Sequence, residues 1–194
     1  MGYIWLAMKF PFNEKKAAQA AAHLLKLNGG KMDKLVLIKL LYIADRRTLI
    51  EHGQPITGDK MLSLDNGPAL SQVLNLINER HAPRRSAWVD YVGALTGDDV
   101  PLKAAKPATD QLSRYELRIL RETFDTHGKL DPEGKPWDLV KWCHDNIPEW
   151  ENPHGGSVSI EYADVLRKAR VSEADIERIQ KDADLLCALD SLGR

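Results

Sequence analysis

The sequence predicts a mainly α fold with a few short β-strands (α+β), a single compact domain around one buried central helix. Three observations carry this expectation. Apolar residues recur at helical spacing over most of the chain, and only short segments alternate as strands do. The stretch from Lys34 to Arg47 is apolar on nearly every side, yet shorter than a membrane span, so it suits the middle of a globular domain. With 194 residues, 43% hydrophobic and 28% charged, the chain has the composition of one ordinary domain. It needs neither disulfide nor metal to fold, because a chain of this size buries roughly 70% of its unfolded surface.

Taken in order, Gly2 to Phe10 is an apolar arm ending at Pro11, with neither the charged start nor the cleavage site of a signal peptide. Asn13 caps a helix through Ala17, Ala18, Ala21, Leu24 and Leu25, whose alanines permit close approach to a neighbour, and Asn28-Gly29-Gly30 stops it. The central helix is expected from Met32 to Glu51, ended by Gly53 and Pro55. Lys39, Tyr42 and Arg46 share one face of it, with Asp45 beside them. One reading buries Tyr42 with its hydroxyl satisfied, lets Lys39 snorkel and pairs Asp45 with a basic group. The other makes these groups a polar recognition edge.

Gly53 to Gly58 is turn chemistry, Lys60 to Leu64 a short strand, and Asn66-Gly67-Pro68 a helix start with Pro68 in the first helical position. His81 to Arg85 reads as a basic connector. Trp88 to Val92 is strand-like and Val100 to Leu102 a return strand, as a surface hairpin or in a sheet with Lys60 to Leu64. Ser113 and Glu116 form a capping box for a helix bearing Leu117, Leu120 and Phe124. An Asp131 to Gly134 turn precedes a helix from Pro136 to Pro148, and Trp137, Trp142 and Trp150 mark dense packing or a partner surface. Asn152 to Ser159 reads as a loop and Ile160 to Ala169 as a helix. Ser172 and Asp175 cap a last helix with Ile176, Ile179, Ala183 and Leu186.

The function classes narrow by what the residues spell. The formal net charge of −1 gives no global attraction to nucleic acid or an anionic membrane. The two helices around Val171 have a helix-turn-helix outline. Glu173, Asp175, Glu177, Asp182 and Asp184 on the second of them would repel phosphates, so nucleic acid is not the expected partner. Cys143 and Cys187 lie far apart, which fits free thiols in a reducing cytoplasm. No histidine falls at metal-ligand spacing with another ligand, so no metal, cofactor or catalytic set is assigned. A nucleophilic Cys143 served by a distant histidine is the enzymatic alternative, and a DNA-binding regulator the other.

An ordered set of motifs resembles a known family. Lys39-Leu40-Leu41-Tyr42-Ile43-Ala44-Asp45-Arg46, then Gly53-Gln54-Pro55-Ile56-Thr57-Gly58-Asp59, then Asn66-Gly67-Pro68, resemble the Panacea domain of the SocA-like antitoxins, sometimes labelled phage-associated. Leu112-Ser113, Asp138-Leu139-Val140, His144 and Pro148-Glu149-Trp150 agree, so the resemblance spans about Ala17 to Leu166. Ala69 departs from the valine usual there, and neither the arm nor the last helix is matched. The resulting division is an arm at 1–12, an antitoxin-like domain at 13–170, and a C-terminal helix at 171–194 that packs on or extends it.

The resemblance implies a non-enzymatic antitoxin of a type II-like toxin–antitoxin system. Its partner would be a cognate toxin from an adjacent gene, with a proteolytic adaptor role and self-association left open and no membrane involved. Lys39, Asp45, Arg46, Arg47, Asp59, His144 and Trp150 are the expected partner-binding residues, and Tyr42, Gly53, Pro55, Gly67 and Pro68 the fold-defining ones.

Overall fold

The computed structural model describes residues 7–78, 86–128 and 136–193. The basic connector at His81 to Arg85 and the Asp131 to Gly134 turn lie outside them. The described residues are mostly helical, with eight helices and two small sheets among them, the mainly α architecture that the sequence predicts.

Helix α1 (Glu14–Leu27) starts where the Asn13 side chain accepts the Lys16 N–H at 2.9 Å. Ala17, Ala18, Ala20, Ala21 and Ala22 are fully buried, so α1 lies close against its neighbours. Gly29 and Gly30 at positive φ turn the chain into β1 (Lys31–Asp33). The central helix, α2 (Lys34–His52), therefore begins two residues later than expected, because Met32 and Asp33 pair in a sheet. Asp33 caps it, accepting the Leu35 N–H at 2.7 Å. Every residue from Leu37 to Asp45 is buried, and α1, α5, α6, α7 and β3 all pack on α2.

Past the Gly53 to Lys60 loop, β2 (Met61–Leu64) and β3 (Gly67–Leu70) form a hairpin turning at Asp65 and Asn66. Asn66-Gly67-Pro68 is thus a turn and the start of a strand. The expected helix start is corrected, and α3 (Ser71–Ile77) begins three residues after Pro68. β3 is an edge strand, so the N–H that Pro68 lacks costs the sheet nothing. A third strand, β5 (Val158–Ile160), pairs with β2 where a loop and a helix start were expected.

Trp88 to Val92 is not a strand. Its residues form the single-turn α4 (Trp88–Tyr91), whose first N–H donates to Glu14 Oε1 at 3.1 Å and to Ser86 Oγ at 3.2 Å. β4 (Asp99–Pro101) instead pairs with β1, and of the expected hairpin one bridge remains, Val92 to Leu102. Helix α5 (Arg114–His127) opens on the full capping box of Ser113 and Glu116. α6 (Trp137–Asn146), α7 (Tyr162–Lys168) and α8 (Glu173–Leu192) complete the chain. Among the described residues no helix is long and apolar enough to cross a membrane.

Gly53 ends α2 at φ 74° while α8 crosses it closely, and a Cβ built there would lie 2.8 Å from Ile179 Cγ1. Gly53→Ala meets both left-handed backbone strain and that contact. It should lower unfolding stability by at least about 1 kcal/mol, read as a urea midpoint shift at constant slope.

Candidate functional site

One turn after another, α2 turns a polar side chain into the interior, and each finds its partner in a different signature segment. Lys39 is 2% exposed, and its Nζ donates to the Pro68 carbonyl at 2.6 Å. Desolvation brings this ammonium down to about 8. Gly67 makes the approach possible. At φ +88°, a Cβ on it would stand 3.3 Å from Lys39 Cε and 3.4 Å from the His144 ring. His144 stacks on Trp150 with centroids 3.8 Å apart, and Trp150 Nε1 donates to the Leu64 carbonyl at 2.9 Å. The α6 end is thereby clamped to the hairpin.

Three residues along α2, the Tyr42 hydroxyl donates to Glu149 Oε1 at 3.0 Å. Arg46 completes the arrangement with Nε on Oε1 at 2.6 Å and Nη2 on Oε2 at 3.2 Å. The Glu149 side chain is 1% exposed and that of Arg46 22%, so a buried carboxylate is neutralised by a guanidinium reaching from the surface. Burial and the adjacent carboxylate together push the Tyr42 phenol well above its ordinary range.

Asp45 is fully buried. It accepts the Thr57 N–H at 3.1 Å and the Thr57 hydroxyl, so its partner is a neutral loop and not the basic group expected. The same hydroxyl accepts the Asp59 N–H at 3.1 Å, and the Thr57 carbonyl accepts the Asn13 N–H at 3.0 Å. Asp59 receives the Gln72 and Val73 N–H groups at 3.0 and 2.8 Å, capping α3 from outside its own sequence. Tyr162 Oη donates to the Asp59 carbonyl at 2.6 Å. Desolvation pushes Asp45 up to about 7 and Asp59 up to about 6.

The expected partner-binding set therefore divides. Lys39, Asp45 and Asp59 do not line an exposed edge. Their side chains are interior because α2 is enclosed from Leu37 to Asp45 and Asp59 sits in the loop packed on it, and Lys39 does not snorkel. Arg46, Arg47, His144 and Trp150 reach the surface in part. Arg47 bridges α2 and α5, with Nε on Glu51 at 2.6 Å and Nη2 on Glu122 at 2.7 Å. Beside it lies an open groove of about 270 Å³ between α2 and α6, lined by Ile43, Arg46, Arg47, Ile50, Trp142 and Ile147 among others.

Glu149 and Thr57 were absent from the expected set, although both stand in the motifs quoted for the resemblance. An acidic residue between a proline and a tryptophan was the available signal for Glu149. Cys143 is buried and its thiol is raised to about 11 by desolvation, the reverse of an activated nucleophile. Arg167 and Arg178, on the helices with a helix-turn-helix outline, are tied to Glu173, Asp164 and Asp175.

The family model of the antitoxin SocA-like, Panacea domain matches residues 37–151. This chain belongs to that family. The match holds all three segments joined by α2 together with Glu149, and is narrower at both ends than the span expected from the motifs. Membership gives the protein an antitoxin-like role in general. Neither the curated proteins nor the solved structures yielded a match.

The folded state holds the Asp45 proton up to about pH 7, whereas the unfolded chain releases it near 3.8. Between those values the folded state binds more protons, so rising pH weakens folding. Asp45→Asn lacks this titration. Relative to it, the wild type should lose stability from about pH 4 to about pH 8, on the order of 4 kcal/mol in urea titrations. A stability difference that stays constant with pH would count against the buried, raised carboxyl. Separately, Glu149→Ala strands Tyr42 and Arg46 and should cost about 3 kcal/mol, with Glu149→Gln costing less because Tyr42 keeps an acceptor.

Proposed function

We propose that this protein is a non-enzymatic antitoxin that neutralises a toxin encoded beside it by direct protein–protein binding in the cytoplasm. The observation that carries the reading is the family match over residues 37–151. The proposed docking site is the groove between α2 and α6, where apolar Ile50 and Trp142 stand next to two guanidinium groups. Arg47 suits such a role. Its side chain is 36% exposed, and its ion pairs with Glu51 and Glu122 are solvent-screened, so exchanging them for a partner's carboxylate costs little. Trp142 supplies the kind of aromatic anchor that dominates binding energy at protein interfaces. Delivery of the bound toxin to a protease is an added activity within the same reading, and it would show as a shortened toxin half-life on co-expression.

The test is co-expression with the flanking open reading frame. Growth arrest by the neighbour alone, relieved by this protein, is the expected result. Arg47→Glu with Trp142→Ala should cut co-purification of the neighbour at least about tenfold. Lys141→Glu, at an exposed position on α6 outside the groove, should leave it unchanged. A harmless neighbour sinks the antitoxin reading. Rescue indifferent to the groove substitutions sinks the docking site alone.

A further inference from the structure

The arm at Ala7 to Phe12 belongs to no helix or strand, yet it is not free. Its burial alternates. Ala7 and Lys9 are exposed, while Met8 and Phe10 are 4% and 8% exposed, the pattern of an extended segment with one face pressed inward. Phe10 meets the Tyr162 ring edge-on with centroids 5.1 Å apart, and the Lys9 carbonyl accepts from Cys187 Sγ on α8 at 3.3 Å. The arm's end is tied by the Asn13 N–H to Thr57. Pro11 passes so near Gly58 that a Cβ there would stand against its carbonyl oxygen.

The arm lies in a seat with open flanks. Clefts of about 290, 470 and 310 Å³ flank it along its length, each lined in part by arm residues. Met8 and Phe10 fill the floor of this seat, while its flanks stay open to solvent. The largest cleft runs between the arm and the floor of Gly58, Met61, Ile160 and Tyr162, beside β5 at the edge of its sheet. Part of the floor, Gly58 and Met61, lies within the family match, whereas the arm and α8 lie outside it.

We propose that residues 7–12 are an intramolecular strap over a peptide-binding channel, held by Met8 and Phe10. The channel's occupant in a complex is an extended segment of a partner protein carrying large apolar side chains at alternate positions. The seated arm shows the chemistry that fits: alternate apolar anchors and a backbone thin enough to pass Gly58. A strap attached in cis competes at an effective concentration in the millimolar range, so the channel opens only to a segment that binds better or to a chain whose strap is weakened. This inference stands apart from the α2–α6 groove and from the identity of any toxin, and its test needs neither.

The probe is a fluorescent peptide copying Ala7–Asn13, titrated into the full chain. The wild type should bind it weakly, and Met8→Ser with Phe10→Ser should bind it at least about tenfold more tightly, because the competitor in cis is disabled. A second variant, Lys9→Cys, places a thiol beside Cys187. Oxidation should tie the strap to α8 and abolish peptide binding, and reduction should restore it. Equal peptide affinity in wild type and double variant overturns the proposal, as does equal affinity of the oxidised and reduced lock. A double variant that no longer folds also overturns it, since the arm would then be core and not strap.

Discussion

The structure depends on the desolvation of polar side chains along α2. A helix enclosed from Leu37 to Asp45 cannot send Lys39, Tyr42 or Asp45 to water, and an unpaired buried polar group costs on the order of 1–3 kcal/mol, more when charged. Each therefore requires a partner at a fixed depth. Pro68, Glu149 and Thr57 supply them from three segments distant in sequence. Asp45 is the strictest case, since it meets no cation and relies on neutral donors. Its raised carboxyl is the consequence. The loop that satisfies Asp45 also carries Asp59, which caps α3, and receives the chain entering α1, so several elements hang on a single threonine.

This requirement explains why the motifs occur together. Taken singly, the glycines and prolines of the Gly53 to Asp59 and Asn66 to Pro68 segments are turn punctuation. Their arrangement follows from what they offer α2: a Thr57 backbone and hydroxyl, a Pro68 carbonyl, and a Gly67 without a side chain to obstruct Lys39 and His144. The family signature is, in physical terms, a satisfied interior. A partner surface has to be sought elsewhere, on groups whose present contacts are exposed and cheap to exchange.

What could be read from the sequence follows the same division. The capped helices were legible, because Asn13, Ser113 and Ser172 act on residues three away. Helical spacing also placed Lys39, Tyr42 and Arg46 on one face, but spacing gives direction and not depth. Whether a face is buried depends on what packs over it. Hence Lys39 and Asp45 read as an edge when they are interior. β3, β5 and α4 escaped for a related reason: Gly-Pro serves a strand start as well as a helix start, a three-residue strand has no period, and α4 rests on a carboxylate from Glu14 across the fold. Arg47 was expected at a surface edge and is part-exposed there, whereas the sequence left Trp142 between dense packing and a partner surface, and it packs partly on the core.

Function loss upon mutation must be weighed against this interior. Removing Glu149 strands Arg46 and Tyr42, and removing Lys39 leaves the Pro68 carbonyl unpaired, losses of about 1–3 kcal/mol or more against a domain's net stability of about 5–15 kcal/mol. An antitoxin weakened in that way fails by unfolding, whatever it binds. Substitutions at Arg47 or Trp142 touch groups that water can still reach, so a binding defect there at unchanged stability reports on contact. The same reasoning applies to the arm. Met8 and Phe10 belong to the same buried core as α2, so a gain in peptide binding on loosening the arm reports on the seat only where stability is measured beside it. The α2 interior and the two proposed binding regions are thus separable by experiment at every group but Arg46, which both holds Glu149 and lines the α2–α6 groove; Lys39, Asp45 and Glu149 are closed to a partner.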